Sequence, residues 1–332
     1  MPKARALVSA GLDLCLRANA TLRAVSVTIG TILVAVAGPF VVLLVLVGGG
    51  SLGILEGAPV DLDDAAAGSL ALALLVSGTI AILALAAIVI ECRIVAIAIL
   101  GGHAVGRPVA PHEALRRSRQ VYWRVVGASI IVGLPVNAAS GIVSQLLDAV
   151  VGPTEATLVL STIVATVVAA PFAYTVSGLV LGGVGAFEAI RRSWEMARYR
   201  WSTALVVAVA ETLAQTLLVF AVFAGLDILV RVGGAVGLGL EGDTATTIVT
   251  LTIALAATAA VGSLLFTVAA IATAPQVIAF VGLTGYGAGL DPARDGAPGA
   301  RPVRWLSVPM AVGTGIAVVT SILGVAAAAR GG

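Results

Sequence analysis

The sequence predicts an all-α, polytopic bundle of six or seven transmembrane helices with short amphipathic cytoplasmic helices. Three observations carry that prediction. Of 332 residues, 59% are hydrophobic and 11% are charged, and the mean hydropathy is +1.10. Apolar runs of about 20 residues or more, enough to cross a hydrocarbon core of about 30 Å, recur along the chain. The segments that join these runs alternate in charge. A water-soluble core of this size cannot use so much apolar surface, so two soluble domains, the ordinary reading of such a length, are excluded.

Taken in order, residues 1–23 form a basic lead helix carrying Lys3, Arg5, Arg17 and Arg23. The first span covers roughly 24–48. Its apolar run is too long for a signal peptide and lacks a small-residue cleavage site, so it reads as permanent. The second span, 69–100, is followed by a basic segment, 101–124, with Arg107, Arg116, Arg117, Arg119 and Arg124. The third and fourth spans are 122–147 and 156–182. A second basic segment, 183–202, holds Arg191, Arg192, Arg198 and Arg200. The fifth and sixth spans are 203–230 and 245–281, which completes a six-span domain over 24–284. Residues 285–304, rich in Gly, Pro, Asp and Arg, read as a cytoplasmic linker, and 305–329 as a seventh span.

Counting Arg93 near the end of the second span, only Arg231 and Arg330 of the 19 Lys and Arg fall on the opposite side. That side is acidic instead, with Glu56, Asp61, Asp63, Asp64, Glu155, Glu241 and Asp243. The bias predicts a cytoplasmic amino terminus and cytoplasmic basic segments. Trp123, Trp194, Trp201 and Trp305 all fall where a span meets a basic segment, the depth of an aromatic belt. Cys15 and Cys92 lie on the cytoplasmic half, where thiols stay reduced, and neither has a metal-ligand spacing. A single Lys against many Ala, Val, Gly and Arg fits a GC-rich bacterial genome.

A parallel internal repeat is present. Glu113-Ala-Leu-Arg-Arg-Ser118 recurs as Glu188-Ala-Ile-Arg-Arg-Ser193, each between two spans. Asp13-Leu-Cys-Leu-Arg17 is a weaker third copy, with the same acid-before-base spacing of four that supports a helix. In the first copy, Pro111 and Glu113 suit a first helical turn, and Leu115, Ser118, Tyr122 and Val125 form the inward stripe. In the second, Phe187, Ile190, Trp194, Ala197 and Trp201 form one apolar face.

These motifs resemble a bacterial family of six-span membrane proteins, known from the membrane domain of some glycerophosphoryl diester phosphodiesterases. Gly11-Leu-Asp-Leu-Cys-Leu-Arg-Ala-Asn19 looks like the family's lead helix. The stretch from Gly106 to Arg117 looks like its first cytoplasmic loop, and Glu188-Ala-Ile-Arg-Arg-Ser-Trp194 like its second. The resemblance covers about residues 6–285. The charged exit after the sixth span is weak here, and 305–329 is an addition. The resemblance implies the fold and little mechanism. The phosphodiesterase chemistry associated with the family resides in a separate soluble barrel with a His pair and metal-binding carboxylates. Only His103 and His112 are present here, and no stretch remains for a barrel. Catalysis, a metal site and a cofactor are therefore not expected.

Charges inside spans are the sharper signal. Glu91 and Arg93 lie in the second run and Glu211 in the fifth, about 10–15 Å from the cytoplasmic ends by helical rise. Such groups are costly unless paired or hydrated. An Arg93–Glu211 pair with Glu91 nearby is the economical reading, and a second span ending near residue 90 is the alternative. Arg116, Arg117, Arg191 and Arg192 are candidate contacts for anionic lipid headgroups. The arginines lie too close to the bilayer for nucleic acid. The Gly-rich stretches 178–185 and 233–239 lack the Gly-Lys-Ser/Thr ending and the preceding strand of a phosphate loop.

The expectation is a bacterial inner-membrane protein without intrinsic catalysis. It would be a scaffold or accessory of envelope lipid metabolism, working through its basic surface helices and a protein partner. The alternative is a transporter of small solutes or lipid-like molecules that uses the charged layer.

Overall fold

A computed structural model describes residues 6–48, 64–152, 155–239 and 244–285. The protein is all-α there, with six helices long and apolar enough to cross a membrane. The seventh-span and linker expectations lie outside the described residues, as do Lys3, Arg5, Trp305 and most of the acidic loops.

The first helix, α1 (Leu7–Arg17), buries Leu7, Gly11 and Leu14, spaced four and three apart on one face. Arg17 stands in its last turn, where a cation complements the helix dipole. Helix α2 (Asn19–Gly48) starts directly after Ala18, a few residues before the sequence-predicted span. Helices α3 (Asp64–Ala104) and α4 (Pro111–Val151) follow. The basic helix of the first repeat and the third span are one continuous helix, α4. In the second repeat they are separate, α7 (Ala186–Tyr199) and α8 (Trp201–Gly239), because Arg200 leaves helical geometry at φ −140°, ψ 70°. Helix α9 (Thr244–Thr284) completes the order.

The fourth span departs from the single helix expected over 156–182. It consists of α5 (Glu155–Ala169), a 3-10 turn over Ala170–Phe172, and α6 (Thr175–Val180). Pro171 stands at the start of the 3-10 turn, where its missing N–H costs no helical bond, whereas Pro39, Pro135 and Pro275 are carried inside unbroken helices. Ser193 of α7 takes up the backbone groups left over. Its hydroxyl donates to the Pro171 carbonyl at 2.8 Å and accepts the Tyr174 N–H at 3.0 Å.

Two compact units share these helices. Among described residues, one unit contains 6–24, 90–217 and 267–285. Its centre is the inner half of α3, where every side chain from Ile94 to Leu100 is buried. A segment apolar on all sides is stable only when surrounded. The repeat becomes physical in this unit. Its second and sixth positions are buried in all three copies: Leu14 and Ala18, Ala114 and Ser118, Ala189 and Ser193.

That docking corrects the apolar face expected for α7. Ala197 is buried and Ile190 half-buried, but Phe187, Trp194 and Trp201 are exposed. The protein-facing stripe is the small-residue one, Ala189, Ser193 and Ala197. Small side chains allow close approach, and a Cβ on Gly178 of α6 would stand 3.5 Å from that of Ala189. In α4 the inward stripe holds Ser118, Tyr122 and Val125 as expected, with Ala114 and Val121 buried and Leu115 only half-buried.

In the other unit α2 meets α9. Ser26 and Ser263 each donate a hydroxyl to the other's carbonyl, at 3.1 and 3.2 Å. One turn on, a Cβ at Gly262 would come within 2.9 Å of the Gly30 Cα, so two glycines permit this approach. Large apolar side chains such as Ile82, Leu134, Leu217 and Phe220 remain more than 60% exposed. Such surface is suited to lipid and not to water. The chain is a multi-pass membrane protein.

Candidate functional site

Arg93 of α3 and Glu211 of α8 form an ion pair at 2.7 Å, with side chains 26% and 21% exposed. Glu211 lies about 15 Å along α8 from Trp201. Its Oε1 also receives the Gln215 amide at 3.4 Å, one turn further on. The third member of the expected charged layer stands apart. Glu91 is buried and accepts the Ser118 hydroxyl of α4 at 3.1 Å. Two positions on a helix differ by about 200°, so Glu91 and Arg93 face opposite ways. The layer is thus two sites, a pair on one side of α3 and a single carboxyl on the other.

The pair lines a cleft of about 270 Å³ between α3, α4, α8 and the broken fourth span. Polar groups from four elements reach it: Arg93, Ser129 of α4, Thr175 of α6, and Glu211, Thr212 and Gln215 of α8. Small residues on the remaining wall, Ala128, Gly133, Ala169 and Ala173, leave the volume open. A second cleft of about 290 Å³ adjoins it through Val136, Ala169, Thr212 and Gln215. It is lined by Asn137, Ser140, Ser161, Thr162 and Thr166 and carries no charged side chain. Thr166 and Thr212 share a hydrogen bond at 3.1 Å where the two meet. Each cleft far exceeds the ~10–15 Å³ that one water molecule requires. Together they make one open groove between apolar helices, with polar side chains along its length.

The break at Pro171 lies on the cleft wall. In membranes, irregular backbone is tolerated where it lines a cavity or is buried in protein. Here Ser193 satisfies the backbone, and Phe172, Ala173, Thr175 and Val176 present the break to the cleft. Sequence reasoning did not single out Pro171, Thr175 or Ser193. Pro171 was a signal that could have been used, but it does not stand out in the sequence, because Pro39, Pro135 and Pro275 lie in apolar runs too and end no helix.

The four surface arginines differ in their surroundings. Arg116 is exposed. Arg117 turns inward, and its Nε donates to the Val180 carbonyl of α6. Arg191 and Arg192 both bond to Glu188, at 2.9 and 2.7 Å, and Arg191 also lies 4.0 Å from Glu195. Hydrogen bonds from Arg191 and Arg192 hold the Glu188 carboxyl below the usual glutamate range. Both guanidinium groups stay well exposed. The Nδ1 of His103 is 3.0 Å from the Ile99 carbonyl, and His112 is exposed. Among the described residues no three His, Cys, Asp or Glu side chains gather as a metal site would need.

Comparison of the chain with family models, curated proteins and solved structures finds no match.

Proposed function

We propose that the protein binds a lipid-like amphiphile within the membrane and conducts its polar head along the paired clefts. The observation that supports this reading is the Arg93–Glu211 pair set in the wall of a polar cleft, which continues into an uncharged polar one. Charged side chains at such depth mark pathways or binding sites far more often than lipid-facing surface, because they require water or a partner. Hydroxyl and amide groups further along replace headgroup hydration with hydrogen bonds.

We place the protein in a bacterial inner membrane with a cytoplasmic amino terminus, on the positive-inside bias of the sequence. Its resemblance to the phosphodiesterase-associated membrane domain favours a role in envelope lipid metabolism. A second reading has its own support. The exposed Phe187, Trp194, Tyr199 and Trp201 beside Arg191 and Arg198 make α7 an interfacial helix, suited to a scaffold that meets anionic headgroups or a protein partner.

Transbilayer movement of fluorescent phospholipids in proteoliposomes separates the two. A Cβ at Gly133 meets nothing nearer than 3.9 Å, so Gly133→Trp puts a bulky side chain into the first cleft while keeping both charged residues in place. Movement by the parent protein and at least tenfold slower movement by Gly133→Trp is the expected result. If the parent moves no lipid, conduction fails and the scaffold reading stands. Equal rates would show that lipid passes elsewhere.

A further inference from the structure

We propose that the head taken into the first cleft is anionic, a phosphate ester of net negative charge held by Arg93 and Thr175. This rests on the reading of the cleft as a headgroup site and adds the ligand's chemistry.

A guanidinium group has five N–H donors and accepts nothing. One terminal nitrogen of Arg93 meets Glu211, while Nε is buried and has no partner. Thr175 is 4% exposed, and its Oγ1 is also buried without a partner. Both residues line the first cleft. Of the Glu211 carboxylate, Oε1 receives both Arg93 and Gln215. The two buried groups of the cleft lining left without a partner can both donate, and Arg93 Nε can do nothing else, so their unmet capacity calls for an acceptor.

Thr175 is unusual among the membrane threonines. Thr31, Thr79, Thr258 and Thr273 each donate to the carbonyl four residues back, the ordinary resolution for a hydroxyl in an apolar helix. For Thr175 that carbonyl belongs to Pro171, which Ser193 occupies. The break thus leaves one hydroxyl on the cleft wall with its bond unmade. Tyr174, Ser177 and Gln276 also carry buried atoms without partners, but none of them lines the cleft. A planar N–H fork and a hydroxyl in the lining of one cleft suit a phosphate, which can accept two parallel bonds from one arginine.

The test is native mass spectrometry of the intact protein from nanodiscs of equal phosphatidylglycerol and phosphatidylcholine. The cleft-bound fraction is the part that Gly133→Trp abolishes. We expect at least tenfold enrichment of phosphatidylglycerol in that fraction. We expect Thr175→Val to lower the enrichment severalfold without loss of fold, because Oγ1 makes no bond inside the protein. Arg93→Lys keeps the charge but removes the fork, and should lower it also. Equal retention of both lipids, or enrichment unchanged in both variants, overturns the anionic assignment while leaving a headgroup site in place. No lipid in that fraction overturns the site itself. Inorganic phosphate distinguishes the source. If millimolar phosphate leaves the bound lipid in place, the ligand is a headgroup. If it displaces the lipid, the same anion chemistry serves a soluble phosphate.

Discussion

Arg93 and Glu211 joined from sequence positions 118 residues apart are the smallest unit on which the account depends. Glu211→Gln keeps size and hydrogen bonding but removes the charge. The pair is about a quarter exposed. Its loss should therefore cost on the order of 2 kcal/mol, between the ~0–1 of exposed pairs and the ~3–5 of fully buried ones. Removing both charges with Arg93→Met and Glu211→Leu should restore most of the thermal stability in detergent. Parent-like stability in the single variant would mean that the pair contributes nothing. Cys15 supplies a second residue-scale prediction. Burial pushes its thiol up to about 11, and Sγ lies 3.7 Å from the Ala270 carbonyl as a weak donor. The thiolate is the reactive form. Iodoacetamide at pH 7 should leave Cys15 unmodified in the folded protein, and rapid alkylation would contradict its burial. The pair was legible in the sequence because charges in apolar runs are rare and must be compensated. Thr175 was not, because a threonine in a span is ordinary until its usual backbone acceptor is seen to be occupied.

At the scale of the element, the broken fourth span and α7 act together. Ser193→Ala leaves the Tyr174 N–H and the Pro171 carbonyl without their partner. Buried polar groups left unsatisfied cost about 1–3 kcal/mol, so a clear loss of thermal stability is expected. Ser193→Thr, which retains the hydroxyl, is the matching comparison. An unchanged melting temperature in Ser193→Ala would show that the break is satisfied in another way. The Glu188 pairing predicts a pH dependence. A carboxyl whose folded pKa is depressed stabilises the fold above its ordinary value of about 4.3, and that contribution is lost as pH falls through the folded value. Amide exchange corrected for intrinsic rates should show α7 losing protection below about pH 4, and Glu188→Gln should show no such step. The same helix shows where sequence pattern misleads. Aromatic spacing marked one face, but the docking face is the small residues Ala189, Ser193 and Ala197. A periodic apolar stripe identifies burial in something, and in a membrane protein that something includes lipid.

For the molecule as a whole, hydropathy and charge asymmetry were enough to read an all-α membrane bundle, because a bilayer constrains helix length and composition strongly. The third copy of the repeat was faint in sequence. It becomes plain in burial, since Leu14 and Ala18 occupy the docking positions of Ala114 and Ser118. The polar track was not read from the sequence because its lining is shared among α3, α4, α5, α6 and α8: Ser129, Gly133, Asn137 and Ser140 of α4 and Glu211, Thr212 and Gln215 of α8 each follow a helical spacing, but only the fold shows that these faces meet. The central claim is that this track admits polar groups within the membrane. Its most direct test is paired cysteine reactivity toward a small hydrophilic thiol reagent, with Cys15 and Cys92 replaced by Ala. Gly133 lines the cleft, whereas its neighbour Leu134 is 68% exposed and lines neither cleft. Thiols ionise and react in water and not in hydrocarbon. The account predicts that Gly133→Cys reacts in membranes and Leu134→Cys does not, and that Gly133→Cys is slowed when phosphatidylglycerol is abundant. If both positions are silent, or Leu134→Cys is the more reactive, the cleft carries no polar head and the account is wrong.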